Sequence, residues 1–108
     1  MEFINKVEIK GFVGTAKTET VLDNRICKLS VATNYAYKSR DGMAVIDTTW
    51  WNVTAFEGGK IKKLPEITKG DAVHVLGRMQ MKRYTDAAGN ERTLYEVVAS
   101  EIEIVESK

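Results

Sequence analysis

The sequence predicts a small all-β domain with one short helix. Several short runs alternate apolar with polar residues, and clusters of turn-forming residues separate them. One intervening segment instead spaces its apolar residues by three. The chain has 108 residues, of which 44% are hydrophobic, which is enough for one domain with a real core but not for two. We therefore expect a single domain over residues 1–108.

The first two strands are predicted from alternation near the start of the chain. Residues 6–13 alternate valine and isoleucine with charged residues, and Gly11 occupies an apolar position where a strongly bent strand could use it. Residues 26–33 repeat the pattern around leucine and valine. The polar segment 38–42 then forms a turn-rich excursion.

A third strand is predicted from about residue 46 to residue 56, and a helix after it. Ile61, Leu64 and Ile67 follow at three-residue steps, which suits one face of a short helix. Pro65 limits that helix.

Two further strands complete the pattern. Residues 72–84 form a long alternating run, residues 85–91 a hairpin loop, and residues 93–105 a last strand. The alternation slips near Val97 and Val98, which predicts a bulge. Three strands, one helix and two strands is the layout of the OB-fold, a five-stranded Greek-key barrel. A small β-sandwich is the alternative.

Several classes of function are disfavoured. A single cysteine, Cys27, and a single histidine, His74, cannot form a structural zinc site, and we expect no metal and no cofactor. We also expect no enzyme activity, because His74 has no plausible acidic partner at short sequence spacing. The sequence has no apolar run long enough for a membrane span, and its first ten residues are charged and lack the apolar centre of a signal peptide. A single cysteine fits a reducing cytosol.

The adjacent tryptophans of the third strand must point to opposite faces. Trp51 shares its parity with Val53 and Ala55, which suit the barrel interior. Trp50 and Phe56 then share the outer face, separated by small polar residues. Two aromatics on one outer strand face suggest a binding surface.

The outer face of the fourth strand is cationic and ends in an aromatic. It carries Arg78 and Lys82, followed by Tyr84. Aromatics interleaved with cations on a curved sheet form a platform for single-stranded nucleic acid, on which bases stack and phosphates meet lysine and arginine. Structural roles stay open: Trp50 could be covered by another subunit or by the loop 38–46, Phe56 could plug the core, and Tyr84 could pack the hairpin.

Four segments together resemble the bacterial single-stranded DNA-binding protein family. They read NKVEIKGFVG at 5–14, LSVATNYAYK at 29–38, TTWWNVTAFEGGK at 48–60 and KGDAVHVLGRMQMKRYTDAAGNERTLYEVV at 69–98. The resemblance implies sequence-tolerant binding of single-stranded DNA in replication, recombination or repair, and a cytoplasmic, nucleoid-associated location. The stacking aromatics of the family fall on Tyr37, Trp50, Phe56 and Tyr84. The other DNA contacts are the cationic and polar positions that the resemblance implies, together with the outer-face cations of the fourth strand. They are Lys6, Lys38, Arg40, Asn52, Lys69, Arg78, Lys82 and Arg83.

The resemblance also implies a homotetramer. Trp51 falls near the subunit interface of the family, and Phe12 and His74 are further interface candidates. The sequence stops after residue 108 without the family's acidic C-terminal tip, so we do not carry over the replication partners which that tip recruits. The alternative is an OB-fold adaptor, similar to primosomal accessory subunits, that binds replication proteins as a dimer.

Overall fold

The computed structural model describes residues 1–106, and these form a closed barrel of five strands. The strands are β1 (Val7–Val21), β2 (Asn24–Lys38), β3 (Ala44–Phe56), β4 (Ala72–Thr85) and β5 (Glu91–Glu106). Their order around the barrel is β1-β2-β3-β5-β4, and β4 pairs back with β1. The β3–β5 pairing is parallel, and the other four pairings are antiparallel. The five-stranded barrel predicted from the sequence is confirmed.

The barrel interior is filled by the apolar half of each alternating strand. Val31, Val73 and Val75 have no exposed surface, and Cys27 is buried as a free thiol. Trp51 is half-buried and packs against this core. The parity read from the sequence therefore places the core correctly, because each strand contributes every second side chain to one side of the sheet.

The first two strands are much longer than the alternation predicts. β1 continues past Val13 to Val21, and it pairs with β2 along its whole extension. Alternation of apolar and polar residues did not predict this extension, because its side chains are mostly exposed on both faces. Leu22 and Asp23 close the hairpin with φ values of 51° and 68°. Positive φ at both turn residues is the geometry of a tight hairpin turn, although leucine rarely adopts it.

The predicted helix between the third and fourth strands is wrong, since residues 1–106 contain no helix. Ile61, Leu64 and Ile67 are buried as expected, at 7%, 2% and 7% exposure. An irregular segment places them there, so the spacing of three reflected burial and not helical periodicity. Gly58 adopts a φ of 105°, outside the helical region, and Pro65 removes a backbone donor inside the segment.

The predicted bulge lies slightly further along β5. Leu76 of β4 pairs with Glu101, whereas Gly77 pairs with Ala99, so Ser100 is the extra residue. Its side-chain hydroxyl donates a 3.1 Å hydrogen bond to the Leu76 carbonyl. The extra residue moves the buried positions of β5 from odd to even numbers, which produces the slip in the sequence pattern.

An ion pair fixes the irregular segment that replaces the helix. Arg25 donates to Glu57 Oε2 at 3.0 Å and to the Leu64 carbonyl at 2.6 Å. The same carboxylate oxygen accepts the backbone N–H of Leu64 at 2.8 Å. The hydrogen bond from Arg25, followed by that from Leu64, holds the pKa of Glu57 below its ordinary value of 4.5. The segment therefore depends on Glu57 being ionised.

We expect acid to remove this stabilisation. Because the pKa of Glu57 is lower in the folded chain, its contribution is present above the ordinary pKa and is lost as pH falls through the lowered one. Glu57→Gln should lower the urea midpoint at about pH 7, and the gap to wild type should narrow at about pH 3. The matched control is Glu91→Gln, which removes an exposed carboxylate with no ion pair among residues 1–106. A gap for Glu57→Gln that is equally wide at both pH values would contradict the role of the ion pair.

Candidate nucleic-acid interface

The outer face of β3 carries two exposed rings, one at the middle of the strand and one at its last residue. Trp50 is 59% exposed and Phe56 is 44% exposed, while Val53 and Ala55 on the inner face are 1% and 0% exposed. Six steps of extended strand separate the Cα atoms of the two residues by about 20 Å. The orientation predicted for both aromatics is confirmed, and neither ring plugs the core.

The Trp50 ring lies over a glycine of β1 and beside a lysine. A Cβ built at Gly14 would overlap the ring, so only glycine lets the tryptophan lie so close to that strand. Lys69 lines the same shallow depression. It is placed there because Gly70 N–H donates to the Val13 carbonyl at 2.8 Å, next to Gly14 in the chain. The fold thus positions a cation next to an exposed indole.

Phe56 lies in a cleft that contains three cations. The cleft measures about 500 Å³, and Lys6, Lys60 and Arg78 line it with the phenyl ring. The N-terminal segment reaches this cleft because the Asn5 amide exchanges two hydrogen bonds, of 2.8 and 2.9 Å, with the Met79 backbone. Lys6 and Arg78 were predicted as DNA contacts. Lys60 was not, because the lysines of its segment look like an ordinary solvated surface in the sequence.

A groove of about 390 Å³ lies between the two aromatic regions, over the part of β3 that contains Asn52 and Thr54. Asn52 and Lys82, both predicted, line it with Lys17 and Lys28, which the sequence did not single out. Lys17 and Lys28 face each other across the β1–β2 pairing. Their grouping depends on a strand pairing that lies outside the predicted first strand, so alternation alone could not reveal it.

An acidic residue, Glu96, also lines this groove. It lies on β5 opposite Gln80 and is 7% exposed. Lys82 Nζ lies 2.9 Å from its Oε1, and the Thr54 hydroxyl donates to its Oε2 at 2.9 Å. Burial opposes its ionisation, but the hydrogen bonds from Lys82 and Thr54 prevail and lower the pKa of the carboxyl.

The remaining predicted contacts lie on two hairpins outside these three regions. Tyr37, Lys38 and Arg40 belong to the β2–β3 hairpin, where the Tyr37 ring lies 6.1 Å from that of Tyr35. Tyr84 is 50% exposed near the end of β4. Its neighbour in the chain, Arg83, takes the opposite strand parity to the residues of β4 that line the groove, so it points to the other face of the sheet. None of these five residues lines the groove or the two aromatic clefts described above.

The three interface candidates differ in how exposed they are. Phe12 is 58% exposed on β1, whereas Trp51 is half-buried. The indole N–H of Trp51 donates to Thr33 Oγ1 at 2.9 Å. His74 Nε2 lies 2.7 Å from Glu8 Oε2, and its Nδ1 lies 3.7 Å from Glu103 Oε1. These carboxylates come from neighbouring strands, so no short sequence spacing could have indicated them.

Within residues 1–106, no three or more histidine, cysteine, aspartate or glutamate side chains are grouped so that they could hold a metal ion. The same part of the chain has no helix that is long and apolar enough to cross a membrane.

Comparison with curated proteins finds relatives over most of the chain. A single-stranded DNA-binding protein of Neisseria meningitidis is 34% identical over 109 residues, which cover 94% of this chain and 60% of the relative. A single-stranded DNA-binding protein of Deinococcus radiodurans is 32% identical over 78% of this chain, and the match covers 28% of that relative. The chain thus spans about 60% of the length of the Neisseria relative.

Solved structures share the fold at lower identity. A Plasmodium falciparum SSB in complex with ssDNA matches with a TM-score of 0.83 at 18% identity, covering 98% of each chain. The single-stranded DNA binding protein from Thermus aquaticus matches with a TM-score of 0.74 at 17% identity, covering 97% of this chain and 52% of that one.

The family assignment depends on the sequence match, which extends over almost the whole barrel. Residues 4–105 match the sequence profile of the Single-strand binding protein family. This chain belongs to the Single-strand binding protein family.

Proposed function

We propose that this chain binds single-stranded DNA without reading its sequence and protects it during replication, recombination or repair. The observation that carries the proposal is the outer face of β3. It presents two exposed rings, Trp50 and Phe56, and a groove lined with lysines lies between them. The chain acts as a binding protein and not as an enzyme, in the cytoplasm and associated with the nucleoid. The family and its curated relatives support this function.

Exposed rings favour single strands over duplexes. Every base has a π-face that can stack on an aromatic side chain, and each stacked base contributes about 1–3 kcal/mol. In a duplex those faces are already stacked on neighbouring base pairs, so a ring on the protein surface gains little from them. Binding through Trp50 and Phe56 therefore selects unpaired strands without discriminating between bases.

The cations beside the rings are available for phosphates. Lys28, Lys69 and Arg78 form no ion pair within residues 1–106, and neither does Lys6. Each phosphate that a lysine or arginine neutralises releases counterions, which makes binding weaker as salt rises. A single DNA strand can therefore lie over the sheet with its bases on the rings and its phosphates on these side chains.

The same proposal includes assembly into a homotetramer, with Trp51, Phe12 and His74 at or near subunit contacts. The exposed phenyl ring of Phe12 supports a contact on β1, because it projects from the barrel with no cover in the single chain. The dimeric primosomal-type adaptor is not favoured, since the family and its relatives are single-strand binding proteins. Tail-mediated replication partners are not part of the proposal.

We expect Trp50→Ala to weaken binding to oligothymidine by about 1–3 kcal/mol, because it removes one stacking platform. The measurement is a fluorescence anisotropy titration with a labelled strand. The matched control is Tyr95→Ala, since Tyr95 is also 59% exposed but lies outside the groove and the two clefts. Equal affinities of Trp50→Ala and wild type would remove Trp50 from the binding surface.

We expect Lys69→Gln and Arg78→Gln each to flatten the plot of log affinity against log salt by about 0.7, because each removes one phosphate contact. Titrations at several salt concentrations measure this slope. Lys63→Gln is the matched control, since Lys63 lines a separate cleft beside Pro65. A slope that changes equally in all three variants would show a general effect of charge and not two phosphate contacts.

We expect light scattering to give about four times the mass of the chain. Addition of oligothymidine should increase the mass by whole strands per tetramer without dissociating it. A stable dimer whose mass does not change when oligothymidine is added would contradict the proposed assembly and support the adaptor.

A further inference from the structure

The buried carboxylate of Glu96 lies in an unexpected place for a surface that binds a polyanion. Its side chain is 8% exposed and lies on the groove between the Trp50 and Phe56 regions. The same groove contains Lys17, Lys28 and Lys82. A negative charge in this position opposes phosphate binding, so it needs a physical explanation.

The surroundings of Glu96 keep it ionised. Its Oε2 accepts from the Thr54 hydroxyl, which belongs to a residue that is 5% exposed, and its Oε1 meets Lys82. Gln80 contributes a longer contact of 3.5 Å to the same Oε1. Burial penalises the charge, yet the hydrogen bonds from Lys82 and Thr54 lower the pKa of the carboxyl. The negative charge is therefore built into the fold.

Lys82 is held by this charge. Its ammonium lies 2.9 Å from Glu96 Oε1, although half of the lysine side chain is exposed to solvent. Lys28 lines the same groove and has no ion pair within residues 1–106. A phosphate that binds Lys82 must displace it from direct contact with the Glu96 carboxylate, whereas Lys28 interacts with that carboxylate only at longer range and has no ion pair to break. The ammonium group of Lys28 is therefore more available to a DNA phosphate than that of Lys82.

We infer that Glu96 is a positioning residue that holds Lys82 against the sheet and withholds its positive charge from a bound strand. The middle of the path, where Asn52 and Thr54 also line the groove, then takes its available positive charge from Lys28 and not from Lys82. Lys28 and the cations beside Trp50 and Phe56 hold the phosphates. This inference rests on the proposed binding of single-stranded DNA. Within that function, Glu96 determines how steeply the affinity for DNA depends on salt.

The test measures the salt slope of oligothymidine binding in three variants. Glu96→Gln keeps the shape and the oxygen that Thr54 can contact, but it releases Lys82, so the slope should become steeper by about 0.7. A fourfold increase in salt then weakens this variant about 2.6-fold more than wild type, which is that slope converted to a ratio. The double variant Glu96→Gln/Lys82→Gln removes the whole pair and should return to the wild-type slope.

The matched control is Glu101→Gln, which removes one carboxylate from the same strand outside the groove. It should leave the slope unchanged, which separates the local effect from the change in net charge. Thermal unfolding of each variant reports whether the barrel is intact. If Glu96→Gln does not fold, the double variant alone decides, because a wild-type slope supports the inference and a slope flatter by about 0.7 overturns it.

Several results would overturn the inference. One is a slope for folded Glu96→Gln equal to that of wild type, and another is an equal steepening in Glu101→Gln. A double variant flatter than wild type by about 0.7 would show that Lys82 already contacts phosphate in the native protein. These outcomes leave the proposed function intact, since the wild type still binds. Failure of the wild type to bind oligothymidine at any salt concentration overturns both.

Discussion

The strict alternation of β3 is the constraint on which the rest of the structure depends. Val53 and Ala55 are buried in the barrel, and the next residue on either side must then face outward. β3 is held in this register by pairing with β2 from Ile26↔Phe56 to Lys38↔Ala44, and by its parallel pairing with β5. A slip of one residue would bury Trp50 and Phe56 and expose the aliphatic side chains. The same register of β3 therefore buries the core side chains and exposes the two rings.

Closure of the barrel requires close backbone contacts that only small residues permit. A Cβ at Gly11 would collide with the Ala32 carbonyl oxygen, and one at Gly77 with the Val98 carbonyl oxygen. At these points β1 passes from its pairing with β2 to its pairing with β4, and β5 takes up the extra residue Ser100. Sharp bends of this kind curve a sheet into a barrel. They also bring the N-terminal segment and Arg78 to the cleft of Phe56.

The sequence predicts those parts of the molecule in which burial alternates. The barrel strands, the inward side of Trp51 and the outward side of Trp50 all follow from parity. The β1 extension could not be predicted, because an exposed hairpin needs no apolar alternation. The helix was predicted wrongly, because buried residues three apart also arise in an irregular segment held by Arg25 and Glu57. Within the candidate site, the outer face of β3 was predictable, but contacts between strands, such as Lys82 with Glu96, depend on a pairing register that no single strand encodes.

A net charge of +1 is compatible with binding a polyanion because the acidic and basic side chains are partly separated in space, although Glu96 lies among the lysines of the groove. Glu8 and Glu103 gather around His74 on one part of the barrel, while the lysines and Arg78 face the groove and clefts beside β3. At physiological salt, charges on the surface interact over only about 8 Å, so a strand senses the nearby cations more than the distant carboxylates. Few phosphate contacts then suffice if stacking supplies much of the affinity, since stacking does not depend on counterion release. The two exposed rings thus make the modest positive charge of the surface adequate for its proposed ligand.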